Sequence, residues 1–159
     1  FISMGQNIDG QWAQVETQYQ RRFDLIPNLV ASVQGAMKQE QKVFGDLAEA
    51  RTRYAGASSI NDKASAATGV ESALARLLVV MENYPQLKSV ETVQTLMSQL
   101  EGSENRVAVE RGRFNDSVRV YNTKVKTIPS SLIAKMFNFS ERNYFEAAAG
   151  AENAPKVQL

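Results

Sequence analysis

Residues 93–125, VQTLMSQLEGSENRVAVERGRFNDSVRVYNTKV, decide the fold of this 159-residue chain. Ten positions in the stretch recur at steps of three or four residues, which is the spacing of one face of an α-helix. The pattern therefore predicts one long helix that packs against others in a coiled-coil-like bundle. The ten positions are Val93, Met97, Leu100, Glu104, Val107, Arg111, Phe114, Val118, Tyr121 and Val125.

Two charged residues, Glu104 and Arg111, interrupt this otherwise apolar face. They lie two turns apart, about 10.5 Å along the axis of a straight helix, and so cannot pair directly with each other. We expect each to find a partner on another helix, where it either fixes the register of the bundle or forms a polar docking or ligand site. Arg21, Arg22 and Asp24 have the same two interpretations.

Composition excludes several classes of function. The chain has 18 Lys and Arg against 17 Asp and Glu, so a formal net charge of +1 offers little attraction to nucleic acid. It contains no Cys and no His, which excludes thiolate catalysis, Cys-ligated zinc and His-dependent triads. Walker-type, dinucleotide, calcium-loop and serine-nucleophile motifs are also absent from the sequence. We therefore expect a protein that is not an enzyme and binds no cofactor.

Carboxylates on the predicted helices leave one chemical alternative, a bundle that binds a metal ion or small molecule between helices. Such side chains on amphipathic helices are usually solvated or paired, so we rank this alternative second. The residues concerned are Glu16, Asp24, Glu101, Glu104, Glu110 and Asp116.

The rest of the chain also has helical periodicity. Apolar spacing predicts a first helix from Gln6 to Tyr54, bent but not ended near Pro27. A second helix follows, with Ser59 or Asn61 as its cap, and ends before Pro85. The third begins near Ser89 or Thr92 and continues to Lys126. The sequence thus predicts an all-α, elongated antiparallel bundle of three long helices and a short fourth one, forming one domain over residues 1–146, with a mobile tail over 147–159.

The short fourth helix follows Pro129 and has Ser130 or Ser131 as its predicted cap. Its apolar residues either close the open end of the bundle or form a surface for a membrane or a partner. They are Leu132, Ile133, Met136 and Phe137, with Phe139 just beyond.

Four blocks of sequence resemble the LemA family of bacterial proteins. They are QWAQV at 11–15 with QRRFDLIPNLV at 20–30, NYPQLK at 83–88, FNDSV at 114–118 with YNT at 121–123, and IPSSLIA at 128–134 leading to YF at 144–145. The resemblance implies an antiparallel four-helix bundle and a single-pass transmembrane helix immediately before residue 1. It implies no catalytic or ligand residues, because the family has none established.

Within the chain itself, the longest aliphatic run is Leu77 to Met81, so we expect no membrane-spanning helix there. Together these observations favour a membrane-anchored helical bundle that acts as a scaffold or protein-interaction module at a bacterial membrane. Its expected partners are a protein at the membrane and, through the upstream anchor, the lipid bilayer. Peripheral lipid binding through the short C-terminal helix is a further alternative.

Overall fold

The computed structural model describes residues 1–146, and every regular element in that range is helical. The predicted all-α bundle is confirmed, while the predicted tail, 147–159, lies outside the described residues. The elements are α1 (Ile2–Val33), α2 (Gln41–Gly56), α3 (Ile60–Met81), a 3-10 helix (Pro85–Ser89), α4 (Glu91–Lys126) and α5 (Ser130–Met136).

Two antiparallel helix pairs make up the bundle, because α1 packs mainly on α4 and α2 mainly on α3. In the first pair, Asn7 near the start of α1 donates to Ser117 near the end of α4, at 3.2 Å. Between the pairs, Lys63 of α3 forms an ion pair with Glu16 of α1. This ion pair joins the two helix pairs, and the two longest helices, α1 and α4, form the long axis of the molecule.

The first helix differs from its prediction. It ends at Val33, and a turn over 34–40 reverses the chain, so that Tyr54 near the end of α2 packs edge-on to Phe23 of α1 with ring centroids 4.9 Å apart. Met37 explains the error, because it lies in the turn and yet is fully buried. The apolar spacing thus continues through the turn while the chain reverses. Pro27 lies inside α1, as expected.

The second and third helices largely follow their predictions. Ser59 accepts a hydrogen bond from the Asp62 amide, 3.0 Å away, and caps α3. α4 continues without interruption to Lys126. α5 begins after Pro129, and no side-chain hydrogen bond caps it.

By length and composition alone, α3 is apolar enough to cross a membrane, although its longest aliphatic run, Leu77 to Met81, is short. Small apolar residues raise its mean hydropathy even though charged residues interrupt the helix. In the bundle, one face of α3 contributes Val70, Leu74 and Leu77 to the core. Next to Val70, Glu71 forms an ion pair with Arg22 of α1. The helix is therefore part of the bundle core.

Replacing Met37 with alanine tests whether the turn is a structural part of the core. We expect the free energy of unfolding to fall by about 3 kcal/mol, because a fully buried methionine leaves a cavity when it is truncated. Urea denaturation followed by circular dichroism measures the loss. Lys38→Ala is the matched control at the exposed neighbour, and an equal effect of both substitutions would contradict the assignment.

Candidate functional site

The guanidinium of Arg22 is buried in the bundle, with its side chain 5% exposed. Its Nε donates to one carboxylate oxygen of Glu71 at 2.6 Å and its Nη2 to the other at 2.9 Å, which is a bidentate pair. Its Nη1 donates to the Ser103 hydroxyl at 3.2 Å and to the carbonyl of Leu100. One arginine of α1 therefore connects α3 and α4.

Glu104 lies at the edge of this network and not on the inner face where the apolar pattern placed it. Its carboxylate is 3.9 Å from Nη2 of Arg22, and its side chain is 70% exposed. The buried position is Ser103, one residue earlier. Either residue keeps the spacing of three and four, but only the small serine leaves room for the guanidinium. The predicted inner position of Glu104 is therefore wrong.

Arg21 and Asp24 are exposed on α1, away from this network. Asp24 accepts a hydrogen bond from Gln20, one turn earlier, at 2.8 Å. The structure thus separates the predicted cluster, since Arg22 points inward while its two charged neighbours face solvent. Sequence reasoning missed Glu71 and Ser103, although an acidic residue beside the apolar stripe of α3 was a usable signal.

Arg111 is a half-buried cation of α4. Its Cζ lies 4.1 Å from the centroid of the Phe145 ring, which is a cation–π contact. Tyr19 of α1 is also close: burial raises the pKa of its hydroxyl to about 12, and the positive charge of Arg111 opposes part of that rise. The cation–π partner of Arg111 therefore lies in the non-helical C-terminal segment, residues 140–146, and not on another helix as predicted.

Two asparagines of α4 hold this C-terminal segment by its backbone. Asn115 accepts from the Phe145 amide at 2.8 Å and donates to the Phe145 carbonyl at 3.1 Å. Asn122 makes the same pair of bonds with Arg142, both at 2.8 Å. The seven-residue step from Asn115 to Asn122 rises about 10.5 Å along α4, close to the length of three extended residues. The segment therefore lies antiparallel to α4 and places Phe145 in the core.

An open groove of about 660 Å³ runs between α3, the 3-10 helix and α4, beside Arg22. We call it the acidic-rimmed groove. Its floor is apolar, while three of the four charged residues on its rim, apart from Arg22, are acidic. The floor contains Leu78, Met81, Leu87, Val93, Met97 and Leu100, and the rim residues are Glu82, Glu101, Glu104 and Lys88.

The residues of α5 lie at the opposite end of α4, and their large apolar side chains are not used to close the bundle. Only Ala134 of this helix is buried. Phe139, just beyond, is partly buried and stacks on Phe1 with centroids 5.0 Å apart. The exposed residues are Leu132, Ile133, Met136 and Phe137, with Ile128 before them. The structure thus favours the surface interpretation over bundle closure.

The carboxylates considered as metal ligands do not converge. Within residues 1–146, no group of three or more acidic side chains could hold a metal ion. Glu16 forms an ion pair with Lys63, Glu110 with Arg113, and Asp116 with Arg119.

Glu71→Ala tests the buried ion pair. We expect it to lower the free energy of unfolding by about 3 kcal/mol, because it leaves the charge of Arg22 without its main partner. The double substitution Arg22→Met with Glu71→Leu is expected to stay within about 1 kcal/mol of wild type, since both charges are removed. Chemical denaturation measures both. Glu49→Ala, which breaks an exposed pair with Arg53, is the control, and a comparable loss there would refute the claim.

Asn115→Ala tests the attachment of the C-terminal segment. It removes two neutral hydrogen bonds, so we expect a loss of about 2 kcal/mol. Amide hydrogen exchange should rise in residues 142–146 and stay unchanged in α2. Asn28→Ala, at an exposed position of α1, is the matched control. Unchanged exchange in residues 142–146 would show that the asparagine does not hold the segment.

Comparison with known proteins identifies the family of the chain. The model of the LemA family matches residues 11–159. Magnetosome proteins MamQ 1 and MamQ 2 of Paramagnetospirillum magneticum are each 25% identical to the chain, over 92% of this chain and 63% of the relative. Magnetosome protein MamQ of Magnetospirillum gryphiswaldense is 25% identical over 94% and 65%.

The chain therefore spans slightly less than two thirds of the length of the curated relatives that it matches. The family match covers nearly all of the chain and includes every block on which the resemblance rests. The chain belongs to the LemA family.

Proposed function

We propose that this chain is a non-enzymatic scaffold module at a bacterial membrane, and that it binds a partner protein in the acidic-rimmed groove. The observation that carries the proposal is the combination of an apolar floor with a mainly acidic rim. Apolar side chains left in an open groove between helices can accept the apolar face of a partner helix. The buried pair of Arg22 and Glu71 beside the groove keeps its walls in register.

The rim defines the chemistry of the partner. Glu82, Glu101 and Glu104 outnumber the single Lys88 among the exposed residues of the rim. Opposite charge on a partner would speed association and select its orientation. We therefore assign the groove to an amphipathic helix whose polar face carries Lys or Arg.

Two observations support the membrane setting. The chain belongs to the LemA family, and the matched relatives are magnetosome proteins. The alternative of an inter-helix metal site has no ligand cluster within residues 1–146 to support it. Metal analysis of the purified protein is a direct check, because a stoichiometric bound ion would favour that alternative.

Site-specific photocrosslinking tests the groove. A benzophenone amino acid replaces half-buried Met97 on the groove floor, or exposed Val109 on another part of α4 as the matched control. After illumination in native bacterial membranes, we expect a discrete crosslinked protein from position 97 and none from position 109. Mass spectrometry of the crosslinked peptide should identify a basic amphipathic helix.

Charge reversal provides the second arm. Glu101→Lys combined with Glu104→Lys should reduce the yield of the position-97 crosslink about tenfold, because the rim would then repel a basic partner. Lys88→Glu should leave the yield equal or raise it. The docking hypothesis would be eliminated if positions 97 and 109 gave crosslinks of equal yield. It would also be eliminated if the charge reversals left the yield at position 97 unchanged.

A further inference from the structure

We propose that the end of the bundle formed by α5, the turn before it and the first residues of α1 is a surface that lies on an anionic lipid bilayer. We call this surface the α5 end. The inference rests on the proposed membrane setting but not on the acidic-rimmed groove, which lies near the other end of α4. It names which part of the bundle faces the lipid.

Exposed apolar side chains are concentrated at the α5 end. Five residues within ten positions of sequence are each at least 50% exposed, and Ile2 of α1 is 70% exposed. Leaving this much apolar surface in water is unfavourable unless something covers it. The five are Ile128, Leu132, Ile133, Met136 and Phe137.

These side chains are exposed on a helix that is firmly attached. Ala134 is 1% exposed against the bundle, and its carbonyl accepts the Phe139 amide at 2.8 Å. The Ser130 hydroxyl donates to the Lys124 carbonyl at 2.7 Å. Phe1 packs edge-on to Tyr121, with centroids 5.9 Å apart, besides stacking on Phe139. The fold therefore holds these apolar side chains in fixed positions on the surface.

Charge distinguishes the α5 end from the rest of the chain. Residues 117–140 contain no Asp or Glu, and residues 1–8 contain none either. Lys124, Lys126 and Lys135 are all exposed there, and only Lys126 has an ion-pair partner within the described residues, Glu141 at 3.0 Å. Apolar side chains beside exposed lysines, in stretches of sequence without Asp or Glu, match the interface of a bilayer with anionic headgroups.

The size of the surface also favours a bilayer over a second copy of the chain. α5 has seven residues and is roughly 10 Å long. The area that such a short helix can bury is far smaller than the area that a stable protein dimer buries. A bilayer requires only that a few side chains enter the headgroup region. Phe1 lies at this same end, so a segment joined before it would leave the bundle beside the lipid.

Vesicle flotation of the purified chain of residues 1–159 tests the proposal. We expect binding to phosphatidylcholine vesicles that contain about 30% phosphatidylglycerol, and much weaker binding to phosphatidylcholine alone. Phe137→Asp and Met136→Asp should each reduce the bound fraction about tenfold. Val79→Asp, at a residue 62% exposed on α3, is the matched control and should not change it. Circular dichroism verifies that all variants fold.

Charge variants separate the electrostatic contribution to vesicle binding from the apolar contribution. Lys124→Glu with Lys135→Glu should abolish the preference for phosphatidylglycerol. The proposal is overturned if the wild-type chain does not float, if Phe137→Asp floats as wild type does, or if Val79→Asp loses as much binding. A vesicle-free dimer that Phe137→Asp dissociates, seen by light scattering, would assign the surface to a second copy. None of these results depends on crosslinking at Met97, so the two proposals can fail separately.

Discussion

The guanidinium of Arg22 is buried inside the bundle, so each of its N–H donors needs an acceptor on a neighbouring helix. Those acceptors come from two other helices, the Glu71 carboxylate of α3 and the Ser103 hydroxyl and Leu100 carbonyl of α4. A slip of one helical turn would move an acceptor by about 5.4 Å and leave a buried charge unpaired. Apolar faces alone tolerate such slips more easily. Arg22 therefore helps to set the alignment of the two helix pairs, together with the ion pair of Lys63 and Glu16.

Several residues that carry the LemA resemblance serve the fold. Arg22 fixes the alignment of the helices, and Asn115 and Asn122 hold the C-terminal segment by pairing with its backbone. That segment places Phe145 beside Arg111. These residues are already used in structural contacts. The two binding surfaces that we propose, the rim of the acidic-rimmed groove and the apolar side chains of α5, are made of other residues, on the surface of the bundle.

Much of this architecture could be predicted from apolar spacing, because a helix that buries one face must repeat every three or four residues. The extent of α4 followed from that spacing, and the start of α5 followed from Pro129, but the spacing did not decide whether α5 closes the bundle or forms a surface. The turn over 34–40 did not, because buried Met37 keeps the repeat in phase. The choice between Ser103 and Glu104 depended on the volume of Arg22, which belongs to another helix. Pairing across helices requires three-dimensional information that a single period does not contain.

Because α4 is one continuous helix, the number of its residues fixes how the two ends of the bundle are placed relative to each other. Met97 in the groove and Lys126 near α5 lie on one continuous helix, separated by roughly 43 Å along its axis. Inserting one residue between them would lengthen this separation by about 1.5 Å and rotate the groove by about 100° around the axis relative to α5. The number of residues in the helix thus sets both the axial distance between the two ends and the rotation of one end relative to the other. An insertion of seven residues would largely preserve the relative rotation of the two ends while increasing the distance between them.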